Sequence, residues 1–200
     1  MKHALAILLF AAGPAAAQGS HFASDGVRFT GFYGVGFSSP VNPLAAKADI
    51  GWGLMGGVGL TNNWIGVTVD AMYTDFGLNR AALQQSGSPK GNQKYWSLTL
   101  DPVFHINEKG PVDLYITGGG GIYNQITDYK TPGFGGPFYG NGGYSSSYSI
   151  YKPGVNGGAG FAFGPGTHSH LKIFAEARFH HMFIYGSGAS FVLTTFGARF

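Results

Sequence analysis

The segment "YWSLTLDPVFHI" (Tyr95–Ile106) sorts into two unlike sets when alternate residues are taken. One set is Trp96, Leu98, Leu100, Pro102, Phe104 and Ile106. The other is Tyr95, Ser97, Thr99, Asp101, Val103 and His105. Period two sustained over this length predicts a β-strand with one apolar and one polar face.

The same alternation recurs on both sides. In 64–76, Ile65, Val67, Val69, Ala71 and Tyr73 oppose Thr68, Asp70, Met72 and Thr74. In 171–183, Leu171, Ile173, Ala175, Ala177 and Phe179 oppose Lys172, Phe174, Glu176, Arg178 and His180. Segments 28–38, 50–61, 112–127, 153–164 and 190–200 alternate with weaker contrast, which makes eight predicted strands. The joining segments alternate as well. "TNN" (61–63), "NEKGP" (107–111) and "GPGTHSH" (164–170) are short; 39–49, 78–94 and 130–152 are longer, with a shorter 184–189. Tight turns at one end and long loops at the other are the outer-membrane barrel arrangement. The expected fold is all-β: an eight-stranded antiparallel up-and-down transmembrane β-barrel with both ends on the short-turn, periplasmic side.

Composition points the same way. Charged residues make up 10% of the chain and aromatics 16%, with 35 glycines. A typical soluble domain carries about 25% charged residues. Strands facing lipid explain a surface so poor in charge, and no apolar run after the N-terminal segment suffices for a spanning helix. A soluble, lipocalin-like barrel would instead turn Lys172, Glu176 and Arg178 outward, and the scarcity of charge speaks against it. The N-terminal "MKHALAILLFAAGPAAAQGS" has a basic start (Lys2), an apolar stretch from Ala4 to Ala12, a Gly13-Pro14 break and an Ala15–Ala17 cleavage pattern. These are the parts of a secretory signal peptide. The expected division is a signal peptide over 1–17 and a barrel domain over 18–200. Without Lys2 the balance is 11 basic against 9 acidic residues, a net charge near +2, too small to imply nucleic acid. The chain has no cysteine, hence no disulfide framework and no lipoprotein acylation site.

Lipid demands closure. Unpaired backbone groups in hydrocarbon cost several kcal/mol each, so strand eight must seal against strand one. "SFVLTTFGARF" (Ser190–Phe200) is that sealing strand, with Val192, Phe196, Ala198 and Phe200 on one face. It resembles the C-terminal signature of bacterial outer-membrane proteins, an alternating strand ending in Phe. The mature chain as a whole resembles the small eight-stranded OmpA/OmpX-like proteins of the outer membrane beta-barrel domain type. It differs from full-length OmpA proteins in ending at the barrel. The resemblance implies residence in the bacterial cell outer membrane, reading of the last strand by the barrel insertion machinery, and a structural or surface-interaction role. The expected partners are outer-membrane lipids and that machinery. The expected state is a monomer, with no nucleic acid and no cofactor.

Eight strands leave an interior that side chains can fill. The polar set supplies Arg28, Asp70, Asp101, His105, Lys172, Glu176, Arg178 and His180, and opposed charges there are expected to pair. Arg178 and Lys172 are expected to meet Asp70, Asp101 or Glu176. Gly-rich strands (Gly51, Gly53, Gly57, Gly59; Gly158, Gly160) make room for them. Aromatics near strand ends are expected to form interfacial girdles. Phe29, Trp64, Phe104 and Phe200 belong to the turn side; Phe37, Trp52 and Trp96 belong to the loop side. Pro102 lacks an N–H for the ladder, and a bulge at Asp101-Pro102 is expected.

Chemical motifs are few. "GGGGIY" (118–123) lacks the Gly-Lys-Ser/Thr ending of a phosphate loop and lies in a strand pattern. His168 and His170 sit in a short turn without a third metal ligand nearby. "RFHHMF" (178–183) lacks the Ser two residues after His that lipid A 3-O-deacylases carry, since Met182 and Phe183 stand there. No catalytic, cofactor or metal residues are assigned. The third long loop, rich in Gly, Ser and Tyr, is expected to be mobile and solvent-facing. Three functions follow: a structural or adhesive barrel; a narrow channel for small or hydrophobic solutes; and, third, a lipid A-modifying enzyme.

Overall fold

Alternation along β4 separates its two faces as the sequence predicts. Leu98 and Leu100 are 52% and 57% exposed, while Thr99 and Asp101, which alternate with them, are buried. The computed structural model describes residues 26–62, 64–107, 111–131, 144–164, 171–184 and 188–200. The predicted signal peptide and the turn carrying His168 and His170 lie outside the described residues. Eight strands run in order: β1 (Val27–Val41), β2 (Gly51–Asn62), β3 (Ile65–Gly77), β4 (Lys90–His105), β5 (Val112–Thr131), β6 (Tyr144–Phe163), β7 (Lys172–Met182) and β8 (Ala189–Arg199). Each pairs antiparallel with its sequence neighbours, and β8 pairs with β1, so the barrel is closed and up-and-down. The seal reaches the final residue. Gly31 N donates to Phe200 O at 2.8 Å, and Phe200 N donates to Gly31 O at 2.9 Å.

The outward faces form an apolar wall: Val35, Val58, Leu60, Val67, Val69, Ile116, Ile122 and Ile173 are all exposed. The inward faces hold the aromatic and polar core, with Phe32, Phe76, Tyr95, Tyr115, Tyr123, Phe174 and Phe191 almost wholly buried. This is a soluble protein's partition inverted on the outside, the pattern a lipid-facing barrel requires.

Three expectations need correction. No bulge forms at Pro102. Asp101 and Pro102 pair with Thr68 and Val67 of β3 in unbroken register. Toward β5 the pairing lapses after Leu100↔Gly120 and resumes at Val103↔Thr117 in the same register. The gap faces Gly118 and Gly119, where no side chain crowds the proline ring, and Thr117 Oγ1 donates to Pro102 O at 3.1 Å. A local lapse in one ladder replaces an inserted residue.

The segment 78–94 is not all loop. It contains a short helix, α1 (Arg80–Ser86), capped by Asn79 Oδ1 accepting from Ala82 N at 3.0 Å and ended by Gly87 at φ 66°. β4 then begins at Lys90. The third long loop is also shorter than expected: β5 runs to Thr131 and β6 starts at Tyr144. Above the lipid both faces of this hairpin meet water, so the apolar–polar contrast that marks a strand vanishes there. The backbone ladder continues without it.

Candidate functional site: the closed polar lumen

Inward positions of a narrow barrel converge on one axis, so residues distant in sequence meet. Arg178 of β7 is 2% exposed and sits among three carboxylates. Its Nε donates to Glu176 Oε1 at 2.6 Å, and its Nη1 donates to Asp70 Oδ2 at 2.7 Å and Asp101 Oδ2 at 2.8 Å. Asp101 also accepts from Thr99 Oγ1 at 2.8 Å and from Asn156 Nδ2 at 2.9 Å. Charge-assisted bonds of this length are the strong class. Space for them comes from glycine. A Cβ on Gly57 would collide with Asp70 Oδ1, and one on Gly119 with Asp101 Oδ1.

Toward the turn end lies a second polar group. His105 Nδ1 stands 2.8 Å from Asp113 Oδ2. The Arg199 guanidinium lies 4.1 Å from the centroid of the Tyr115 ring and 3.9 Å from Asp113 Oδ2. Toward the loop end, Tyr123 Oη lies 2.9 Å from His180 Nδ1, and the His180 ring stacks on Phe191 at 5.1 Å. Phe76, Tyr95 and Phe191 touch one another at centroid distances of 5.3–5.9 Å and form a lid over this layer. Above the lid the mouth opens into a vestibule of about 370 Å³ lined by Lys47, Leu78, Gln93, Gln125, Thr127 and Tyr129, with α1 at its edge. The turn-end void near Arg199 and His105 is only about 10 Å³, room for one water.

The residues named from sequence therefore separate. Asp70, Asp101, Glu176 and Arg178 meet in one cluster. His180 belongs to the layer above and His105 to the layer below. Lys172 is half-buried at the turn end of β7, opposite Arg199, well below the carboxylates it was expected to meet. Arg28 is exposed at the turn end of β1 instead of lying in the lumen. Near strand ends the tilt carries a side chain out of the barrel mouth, so inward parity no longer means burial. The sequence reading passed over Asp113, Tyr115, Tyr123, Asn156 and Arg199. All share the inward parity of β5, β6 and β8, and the weak contrast of those strands concealed them.

Outward, Phe29, Phe104 and Trp64 are exposed near the turn end, with Phe200 half-buried beside them. Phe37 and Trp52 are exposed near the loop end, where Trp52 packs on Tyr73 at 5.4 Å. Trp96 packs edge-on against Tyr151 at 5.6 Å. Asn124, the cross-strand neighbour of both, is fully buried and donates to Ser149 Oγ at 2.8 Å. One further outward contact comes from two strands: His181 Nδ1 of β7 lies 2.8 Å from Ser190 Oγ of β8. A search for Ser along β7 alone does not find this pair, because the hydroxyl is contributed across the ladder.

No protein-family model and no curated protein matches the sequence. Solved structures do. Neisserial surface protein A (NspA) is 15% identical over 87% of this chain and 97% of its own, with a TM-score of 0.56. The attachment invasion locus protein Ail of Yersinia pestis, solved with the heparin analogue sucrose octasulfate, is 21% identical over 86% of this chain and 99% of its own, TM-score 0.48. OprG of Pseudomonas aeruginosa is 12% identical over 86% of this chain and 95% of its own, TM-score 0.47. All are eight-stranded outer-membrane β-barrels, and the likeness is one of fold.

Proposed function

We propose that this chain is an integral barrel of the bacterial outer membrane with a sealed lumen, whose role is structural or adhesive and is exerted through its loop end. The observation that carries this reading is the closure of the interior. Arg178 is tied to three strands' worth of carboxylates, and the Phe76–Tyr95–Phe191 lid lies above it. A solute would have to break several charge-assisted bonds in a low-dielectric interior to pass. The apolar outer wall supports the lipid setting. The vestibule and the hairpin extending above the aromatic band leave the loop end as the surface available to partners.

Two measurements test the reading together. The outer-membrane fraction should contain the protein as a heat-modifiable band. Purified protein in planar bilayers should add no conductance steps. Discrete steps at neutral pH would favour the narrow channel; freely dissolved protein in the periplasmic extract would refute the membrane reading.

The His181–Ser190 contact favours a second reading, a lipid-modifying enzyme, since it places a hydroxyl beside an imidazole on the outer wall. Ser190 is only 6% exposed, and no carboxylate is bonded to His181 among the described residues. The ring is instead held between Phe179 and Phe183. Mass spectrometry of lipid A from cells with and without the gene distinguishes the two: an unchanged acyl pattern rejects the enzyme.

A further inference from the structure

Above the aromatic pair Trp96–Tyr151, the outward face of the β4–β5 hairpin changes from apolar to basic. Lys94, Asn92 and Lys90 continue the outward set of Leu98 and Trp96; Asp128 and Lys130 continue that of Ile122 and Asn124. Both carboxylates on this surface are engaged. Lys94 Nζ donates to Asp128 Oδ2 at 2.7 Å, and Asn92 Nδ2 donates to Asp75 Oδ1 at 2.9 Å. Lys90 and Lys130 are left as direct cross-strand partners, both exposed. Among the described residues neither forms a salt bridge, the carboxylate nearest in this row, Asp128, being bonded to Lys94 and feeling the Lys130 charge at longer range. The next residue in this row is the exposed Ser145 of β6, paired with Lys130. Like charges directly opposite destabilise a ladder. Two ammonium groups and a hydroxyl along one cross-strand row also form a set that a phosphate satisfies.

Height on the barrel selects the kind of phosphate. A strand rises about 3.3 Å per residue and is tilted roughly 35–45°. Lys90 Cα therefore stands on the order of 15 Å above Trp96, and a lysine side chain reaching down recovers about 5 Å of that. The headgroup layer of a phospholipid bilayer adds only about 5–8 Å per leaflet beyond the hydrocarbon. A simple phospholipid phosphate at the level of Trp96 falls short of Lys90. A phosphate carried on the sugars of a glycolipid reaches it. Such a lipid also has its acyl chains beside the flank of the same hairpin, where Leu98, Leu100, Ile116 and Ile122 are exposed.

We propose that Lys90 and Lys130 bind a sugar-borne phosphate of an outer-leaflet glycolipid. The inference rests on the membrane reading above and adds a ligand to it. The test uses the full mature chain in detergent, titrated with three probes: lipopolysaccharide, the same material after phosphatase treatment, and a soluble polysulfated polysaccharide. Wild type should bind the phosphorylated glycolipid about tenfold more tightly than the dephosphorylated form, and added salt should reduce the difference. K90Q/K130Q should lose that preference while keeping its heat-modifiable band, and K90R/K130R should retain it. Equal binding of wild type and K90Q/K130Q overturns the proposal, as does preference for the soluble polyanion. Heat-modifiable protein in the outer-membrane fraction together with either result rejects the lipid site alone; absence from that fraction rejects the membrane reading itself.

Discussion

Replacing Arg178 by Met removes the single cation from a cluster that holds Asp70, Asp101 and Glu176, none more than 3% exposed. Three bonds of 2.6–2.8 Å disappear at once. Taken separately, hydrogen bonds to charged groups contribute about 1.5–3 kcal/mol each. Their sum overstates the loss, because the bonds share one side chain and its desolvation. Measured removal of one partner from a buried ionic pair costs about 3–5 kcal/mol, and that range is the one to expect. It corresponds to two to three and a half powers of ten in the folding equilibrium at about 1.4 kcal/mol per tenfold. Urea titration of the barrel in phospholipid vesicles provides the assay, read by tryptophan fluorescence and by heat-modifiable gel mobility. The chain has three tryptophans: Trp52 and Trp64 lie at strand ends, and Trp96 lies within β4 beneath its extension toward Lys90.

The same geometry predicts an asymmetry. Three carboxylates around one guanidinium are an excess of acid, so Asp70→Asn should cost no more than about 1 kcal/mol. Asp101 keeps donors of its own in Thr99 and Asn156. The triple variant D70N/E176Q/R178M should therefore regain most of what R178M loses. An R178M barrel within about 0.5 kcal/mol of wild type refutes the argument that the cluster is held by its arginine. A triple variant as unstable as R178M refutes the claim that uncompensated charge is the cause.

Other perturbations probe the remaining layers. Leu100→Arg puts a charge at mid-height on the outer wall and should cost about 2–4 kcal/mol in vesicles; no loss would mean this face does not meet hydrocarbon. Gly119→Val drives a side chain into Asp101 and the backbone of β4, and should destabilise by about 1–3 kcal/mol, whereas Gly77→Ala, with open space around it, should be near neutral in the same titration. Lys94 and Asp128 lie above the aromatic band, and their bond chiefly sets both acidities: Asp128 is held below its ordinary 3.8 and Lys94 above its ordinary 10.5. A depressed acid stabilises above its unfolded value and loses that increment as pH falls through the folded one; a raised lysine loses its increment as pH rises past 10.5. With side chains 31% and 23% exposed the pair is screened, so D128N should differ from wild type by about 0.2–1 kcal/mol at pH 6, and the difference should shrink as pH falls below the ordinary 3.8 and through the lowered folded value.

Why the barrel was legible and the lumen only half so follows from where contrast is stored in the chain. Strands β3, β4 and β7 alternate sharply because one face meets lipid and the other holds charge, and Asp70, Asp101, Glu176 and Arg178 all come from them. Period two also assigns the wall, so Leu98 and Leu100 point outward as read. Glycine carries no hydropathy signal. β5 places Gly119 and Gly121 on the inward face and Gly118 and Gly120 on the outward face. This blurs the parity that would have delivered Asp113, Tyr115 and Tyr123 to the interior. The same glycines are what permit the large neighbours to fit, so the positions that silence the pattern are the ones the lumen most needs. Parity, moreover, gives direction without height. It cannot separate Arg178, deep beneath the aromatic lid, from Arg28 at the mouth, nor pair His181 with a serine one strand away. Height and register emerge only when the strands close. Closure is therefore the step at which a list of inward residues becomes a cluster with a guanidinium at its centre.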